Sequence, residues 1–492
     1  MKYILSLDQG TTGSRAVLYG EDGKPVAIAR RDVKQIYPRR GWVEHDALDI
    51  WNNQLDAARS VIADSGISAD DILAIGIANQ RETAVIWDKG GQPYAGAVVW
   101  QCRRTSPMCD SLKEEGLEDY IYDRTGLKVD PYFSATKFRW LMDNVPAIRA
   151  NVAGGNVFIG TMDSYLLYML TGCRVHATDY TNASRTMLFN IHELKWDSGL
   201  LSLFRIPKSV LPKVYPSGHL YGYTTPELFG KRIPICGIAG DQQAALFGML
   251  CTRAGDIKST YGTGCFTLMN TGNRNIISKR GLVTTLSACV DSRPDYVLEG
   301  SVFSSGAVIT WLKEGLRAAT DDAECAAIAQ SLSDSGGVYL VPAFVGLGAP
   351  HWDSEARGTI VGITRGTTRE HIIRAAQESA AYQVMDVLRA LQADTGIKID
   401  SLNVDGGLSC NDFVMQFQAD ISGISVVRPV VKESTSLGAA YLAGLTIGMW
   451  DNIEQLRDNK QAEKIFTPDM DKGERSKFIL GWEKAVRQTV AK

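Results

Sequence analysis

Residues 3–19 read as a strand, a turn dense in glycine and hydroxyls, and a second strand. Tyr3–Leu7 runs into Asp8-Gln9-Gly10-Thr11-Thr12-Gly13-Ser14, and Arg15–Tyr19 leads out to a turn at Glu21-Asp22-Gly23. The same order of chemistry returns half a chain later, where Ile257–Met269 carries Thr260-Tyr261-Gly262-Thr263-Gly264 between two apolar stretches. Only the turn chemistry is shared, but its position constrains the fold. A repeated strand–turn–strand that splits the chain into stretches of similar length calls for two domains. At 492 residues the chain needs that division in any case, because a single hydrophobic core does not grow so large.

The remaining periodicities are those of an α/β architecture. A helix is predicted after Asp46, with Leu48, Trp51, Leu55, Ala58 and Ile62 on one face and Gly66 just past its end. Short strands are predicted at Leu73–Ala78, Ala84–Trp87, Ala97–Trp100, Gly337–Val341 and Ser401–Val404. A long helix runs through Ala376, Ala380, Val384, Val387 and Leu391 to Gly396. The boundary falls near residue 250. The charged, helical segment beyond about residue 447 is expected to pack on the second domain.

Composition removes several classes of function. The net charge is −3 and Lys and Arg are dispersed, so neither nucleic acid nor a membrane surface is an expected partner. The first seven residues are too short an apolar run for a signal peptide, and no run approaches a membrane span. Nine cysteines without CxxC spacing indicate reduced thiols in the cytoplasm, and six histidines show no metal-ligand spacing.

What chemistry there is sits in polar clusters at the ends of apolar strands. Gly10 and Gly13 let main-chain N–H groups face a ligand, and the hydroxyls with Arg15 add donors suited to phosphate oxygens. Asp8 could hold Mg²⁺, which favours carboxylates and retained water. A plain hairpin turn would need the same glycines. No GxxxxGK[ST] is present, so this is not a P-loop. Thr260–Gly264 offers a second donor-rich turn, and Asp405-Gly406-Gly407 with Asn411 a third, between strand and helix. Gly240-Asp241-Gln242-Gln243 sets a carboxylate between a strand and an Ala-rich helix, as an N-cap or as a working group. Asn79-Gln80-Arg81-Glu82 follows another buried strand.

These segments resemble the FGGY family of carbohydrate kinases, and within it the branch acting on glycerol. The resemblance covers essentially the whole chain. It is carried by Leu7–Thr12, Gly41–Asp46, Asn79–Thr83, Val99–Thr105, Asp130–Ser134, Thr178–Thr186, Gly240–Gly248, Gly346–Pro350 and Gly438–Gly444. It implies two ribonuclease H-like α/β domains of the actin/hexokinase superfamily with an active-site cleft between them. Residues 1–250 would form the N-terminal domain, with the polyol site and first phosphate loop, and residues 251–492 the C-terminal, nucleotide-binding domain. The implied reaction is ATP plus glycerol to sn-glycerol 3-phosphate plus ADP, with Mg²⁺, in glycerol uptake and catabolism, by a cytoplasmic homodimer or homotetramer.

Position by position, Arg81, Glu82, Trp100, Tyr132, Asp241, Gln242 and Phe266 are similar to the glycerol site, with Asp241 as the base. Thr11, Thr12, Gly13, Ser14 and Arg15 match the first phosphate loop, and Thr263, Gly306, Thr310, Gly407 and Asn411 the nucleotide side. Thr310 stands where many of that branch carry Gln. A kinase of another small polyol or ketose is the nearest alternative. A non-catalytic, actin-like nucleotide switch is the alternative of another class, and it would have no use for Asp241 with Arg81-Glu82.

Overall fold

The structure, a computed structural model, describes residues 1–290, 293–458 and 460–490. The chain forms two compact units. The first comprises Met1–Leu250, Thr284–Tyr296 and Ser434–Asn459; the second comprises Cys251–Val283, Val297–Glu433 and Lys460–Lys492. The sequence places everything beyond residue 250 in a second domain, whereas the chain returns to the first unit twice. Periodicity describes local elements and carries no record of which distant layer an element will cover.

The first unit is built on a six-stranded sheet. Its strands are β1 (Tyr3–Gln9), β2 (Gly13–Tyr19), β3 (Pro25–Asp32), β4 (Ile72–Asn79), β5 (Gly218–Tyr223) and β6 (Pro234–Gly240), in the order β5-β6-β4-β1-β2-β3. The predicted opening hairpin is β1–β2, antiparallel, with Asp8 opposite Arg15 and Gln9 opposite Ser14. β1 runs parallel to β4, and β4 parallel to β6. Helix α1 (Ala47–Ser65) starts where Asp46 accepts from the N–H groups of Leu48 and Asp49. It stops at Gly66, whose φ of 67° suits a residue without Cβ. Leu5, Leu7, Ile50, Trp51, Ile75, Ile77 and Ile238 form the core between helix and sheet. Burial of each such side chain is worth about 1.5–3 kcal/mol.

The second unit repeats this plan around a seven-stranded sheet, one edge strand of which begins at Val283 and runs on into the Thr284–Tyr296 stretch grouped with the first unit. The strands are β7 (Ile257–Tyr261), β8 (Cys265–Gly272), β9 (Val283–Leu286), β10 (Tyr296–Val302), β11 (Ser401–Asp405), β12 (Ser425–Pro429) and β13 (Ala462–Phe466). Their order is β9-β10-β8-β7-β11-β12-β13. β7 and β8 form the second hairpin, and β7 lies parallel to β11 as β1 does to β4. The weak parallel between the two turns is thus a parallel in topology. The predicted long helix spans Arg369–Thr395 and ends at Gly396, with φ 70°; its Val384, Val387 and Leu391 join Ile257, Leu298 and Leu402 in the core.

The return to the first unit is made by the helix Ser434–Ile447, which lies against that unit's sheet at glycines. A Cβ on Gly76 of β4 would stand 2.1 Å from the Ala439 carbonyl oxygen, and one on Gly237 of β6 would stand 2.8 Å from the Ala443 nitrogen. The helix Asp241–Gly248 meets it in the same way. A Cβ on Gly438 would lie 1.8 Å from the Ala244 oxygen, and one on Gly248 2.1 Å from the Ser434 oxygen. Ser6 Oγ donates to the Ser436 carbonyl at 2.7 Å and Tyr19 Oη pairs with Ser436 Oγ at 2.6 Å.

Gly438→Ala should therefore destabilise the protein by about 3 kcal/mol, although Ala is favoured over Gly in a helix by about 1 kcal/mol. Urea unfolding should show a lower midpoint for Gly438→Ala and none for Gly154→Ala, whose Cβ would meet nothing nearer than 3.7 Å.

Candidate active site

Three parallel strands of the first unit end level with one another. Gln9 is opposite Asn79, and Asn79 opposite Gly240, so the residues that follow emerge along one edge of the sheet. Strand C-termini in such sheets are where ligands bind. The turn after β1, Gln80-Arg81-Glu82 after β4 and Asp241 after β6 are brought together there.

Arg81 and Glu82 sit in a tight turn closed by the Thr83 N–H on the Arg81 carbonyl, 2.7 Å. Glu82 has φ 61°, a left-handed conformation that non-glycine residues seldom adopt and that tends to mark functional sites. Its carboxylate accepts from Arg185 Nε at 2.5 Å and lies 3.7 Å from Arg81 Nε. Arg81 Nε also lies 3.3 Å from Asp241 Oδ1, while its Nη1 donates to Gln243 Oε1 at 3.1 Å and its Nη2 to Tyr132 Oη at 3.4 Å. The Arg81 and Glu82 side chains are 2% exposed and that of Asp241 is 27% exposed, so Asp241 is the most open of the three. Trp100 packs edge-on against Tyr132, centroids 5.6 Å apart, and donates from Nε1 to Thr11 Oγ1 at 2.9 Å. The predicted strand there stops at Val98, which leaves Trp100 on a loop.

Asp241 is the first residue of its helix, with Gly240 as the N-cap, so it does not fill the capping role open to it in the sequence. Gly240 N–H donates to Thr181 Oγ1 at 2.8 Å. Thr181 is fixed in turn by Asp179, a wholly buried carboxylate that accepts from Thr181 Oγ1 and N, Asn182 N and Nδ2, and Ser217 Oγ at 2.7–3.0 Å. Burial raises the Asp179 carboxyl above its usual range, and these donors pull it back. Asn182 and Asn79 exchange side-chain hydrogen bonds of 2.9 and 3.0 Å. One buried network thus holds the strand end that carries Arg81 and the one that carries Asp241.

The turn at 10–13 is closed by Gly10 N–H on the Gly13 carbonyl, 2.8 Å, with Thr12 at its exposed tip. Arg15 reaches across to Asp8, Nη1 to Oδ2 3.6 Å. Ser14 does not join them. It shares the inward face of β2 with Ala16 and Leu18, its hydroxyl is buried, and the strand's two-residue period explains why.

In the second unit the stretch at 261–263 and the segments at 306–313, 322–330 and 407–412 line one cavity of about 640 Å³. Thr263, Gly306, Thr310, Gly407 and Asn411 all border it. Gly306 N–H donates to the Gly262 carbonyl at 2.9 Å, and a Cβ there would stand 2.6 Å from that oxygen. Gly407 has nothing within 4 Å of where a Cβ would be, which leaves open space above its backbone. Asn411 caps the helix Asp412–Ser422, its Oδ1 accepting from Phe413 and Val414 and its Nδ2 donating to Gln377 at 2.7 Å. What it brings to the cavity is a helix N-terminus. Lys313 and Asp322 form a 2.7 Å ion pair on the lining. Phe266, expected with the acceptor residues, belongs to this second unit, on β8 opposite Thr260.

The sequence singles out neither Arg185 nor Lys137, Gln243, Asp179 and Thr181 as site residues. A signal was present for Lys137, a charged residue directly before Phe138 and four before Leu141 on a buried helix face.

The N-terminal domain of the FGGY family of carbohydrate kinases matches residues 3–248, and the C-terminal domain of that family matches residues 257–447. Glycerol kinase 2 of Thermotoga maritima is 53% identical over 491 residues, covering 100% of this chain and 99% of the relative. Glycerol kinase 1 of Clostridium tetani is 54% identical over 490 residues, covering 99% and 98%. The crystal structure of Plasmodium falciparum glycerol kinase with ADP superposes with a TM-score of 0.91 at 36% identity, over 100% of this chain and 99% of that one. A xylulose kinase of Lactobacillus acidophilus shares the fold, with a TM-score of 0.88 at 24% identity. With both domains matched and the edge of strand ends furnished as described, the chain belongs to the FGGY family of carbohydrate kinases.

Proposed function

We propose that this kinase transfers the γ-phosphoryl group of ATP to a terminal hydroxyl of glycerol, releasing ADP and sn-glycerol 3-phosphate. The observation that carries the proposal is the cluster of Arg81, Glu82 and Asp241 beside Trp100 and Tyr132. The likeness to glycerol kinases from end to end of the chain supports it. Glycerol has three hydroxyls on a short apolar edge. Arg81, Glu82 and Gln242 offer donors and acceptors for the hydroxyls, and the Trp100 ring covers C–H surface. A site so committed penalises ligands that leave its polar groups unpaired.

In the transfer a bond forms between a glycerol oxygen and the γ-phosphorus, and the bond to the β,γ-bridging oxygen breaks. Asp241 accepts the hydroxyl proton, and the Arg81 guanidinium at 3.3 Å orients its carboxylate. The transition state is loose and highly charged, so positioning and charge neutralisation do most of the work. Thr11, Thr12, Gly13 and Arg15 supply donors on the acceptor side. The 640 Å³ cavity, with its glycine-lined floor and helix N-terminus, takes the nucleoside and phosphates of ATP. Asp8, a mostly buried carboxylate beside that loop, suits an ion that arrives on phosphate oxygens and keeps its waters. Mg²⁺ so bound would neutralise charge on the β- and γ-phosphoryl groups. The reaction belongs in the cytoplasm, where ATP is made and unpaired thiols such as the buried Cys102 and Cys265 stay reduced.

Steady-state kinetics should give a higher kcat/KM for glycerol than for dihydroxyacetone or a pentulose; the reverse order for a pentulose would overturn the assignment. Asp241→Asn should lower kcat by about 10²-fold or more, with ATP binding by calorimetry unchanged. Thr181→Val, which removes the hydroxyl that holds Gly240, should lower kcat in the same direction, and Thr181→Ser should restore it.

A further inference from the structure

Lys137 has no part in the mechanism above, yet its side chain is wholly buried at the start of the helix Ser134–Asn144. Lysines are seldom placed so, because burial strips the ammonium group of water. Its Nζ donates to the Glu82 carbonyl at 3.1 Å and to the Tyr132 carbonyl. Ser134 Oγ, one helical turn earlier, donates to the same Glu82 carbonyl at 3.1 Å. Those carbonyls belong to the two main-chain segments whose side chains converge on Arg81. Glu82 holds φ 61°, a conformation that persists only where its surroundings over-determine it. Tyr132 Oη meets Arg81 Nη2, and the Tyr132 N–H is held by Asp130 at 2.8 Å.

We propose that Lys137 is a positioning residue for the acceptor alcohol: it ties the left-handed Glu82 turn to the Tyr132 loop and so sets the width of the polyol pocket. The inference rests on the reading of that pocket as the glycerol site. Burial lowers the Lys137 ammonium to about 7, and the Glu82 carboxylate beside it works in the opposite direction. The clamp survives either protonation state, since a neutral amine still has two N–H bonds for the two carbonyls. Arginine would not replace it, because a planar guanidinium needs more room than a lysine head.

The test uses the full-length enzyme with Lys137→Met, close to lysine in length but without donors, and Ser134→Ala. Wild-type turnover on glycerol is measured first; its absence would remove the glycerol reading and this inference with it. Given that turnover, Lys137→Met should raise the KM for glycerol at least tenfold while the KM for ATP stays within twofold, with cooperative thermal unfolding retained. Ser134→Ala should shift the glycerol KM in the same direction by a smaller factor. The double variant should fall short of the product of the two, because both donors act through one carbonyl. An unchanged glycerol KM in Lys137→Met would overturn the proposal, as would equal rises in both KM values. Should Lys137→Met fail to fold, Ser134→Ala decides: a selective rise in the glycerol KM supports the clamp, and its absence overturns it.

Discussion

The first unit depends on main chain packed against main chain. Where the helix Ser434–Ile447 crosses β4, β6 and the helix Asp241–Gly248, glycines at 76, 237, 248 and 438 leave no room for a single Cβ. Such close approach brings rigid elements to fixed separations, with no flexible side chain between them to absorb error. The same strands end at Asn79, two residues before Arg81, and at Gly240, directly before Asp241. A segment more than three hundred residues from Arg81 therefore helps set how far its guanidinium lies from the Asp241 carboxylate.

On that frame the site concentrates charge away from water. Arg81, Arg185 and Lys137 surround Glu82, and only Asp241 is substantially open. Desolvation costs several kcal/mol per buried ion after relaxation, so an arrangement of this kind is weak evidence for stability. Its value lies in preorganisation: donors and acceptors are aimed before any ligand arrives, and few are lost to rearrangement. The left-handed Glu82, held at its carboxylate by Arg185 and at its carbonyl by Lys137 and Ser134, is the clearest sign of strain retained for that purpose. The second unit takes a different course. Its cavity is furnished by glycines, turns and a helix N-terminus, chemistry suited to phosphates and a flat base rather than to small hydroxyls.

Much of this was legible from local pattern. The two hairpins, the helix from Asp46 to Gly66 and the long helix ending at Gly396 follow from period, caps and turn residues, all of which act within a few positions. Strand alternation also contained the orientation of Ser14, inward with Ala16 and Leu18, though the hydroxyl itself suggested a phosphate contact. Asn411 illustrates the converse: a polar residue beside a glycine cluster has its amide engaged by the helix it caps and by Gln377.

The sequence by itself determined the α/β plan, the places where polar residues follow apolar strands, and the family to which the chain belongs, because these reside in short stretches with their own chemistry. Only the tertiary structure decided which of those stretches meet. It gave Ser434–Ile447 to the first unit, set Asp179 beneath Gly240 through Thr181, and turned Lys137 toward the carbonyls of Glu82 and Tyr132. Each of these is a contact between residues far apart in the chain. Its strength comes from burial and hydrogen-bond geometry, which exist only once the layers have packed.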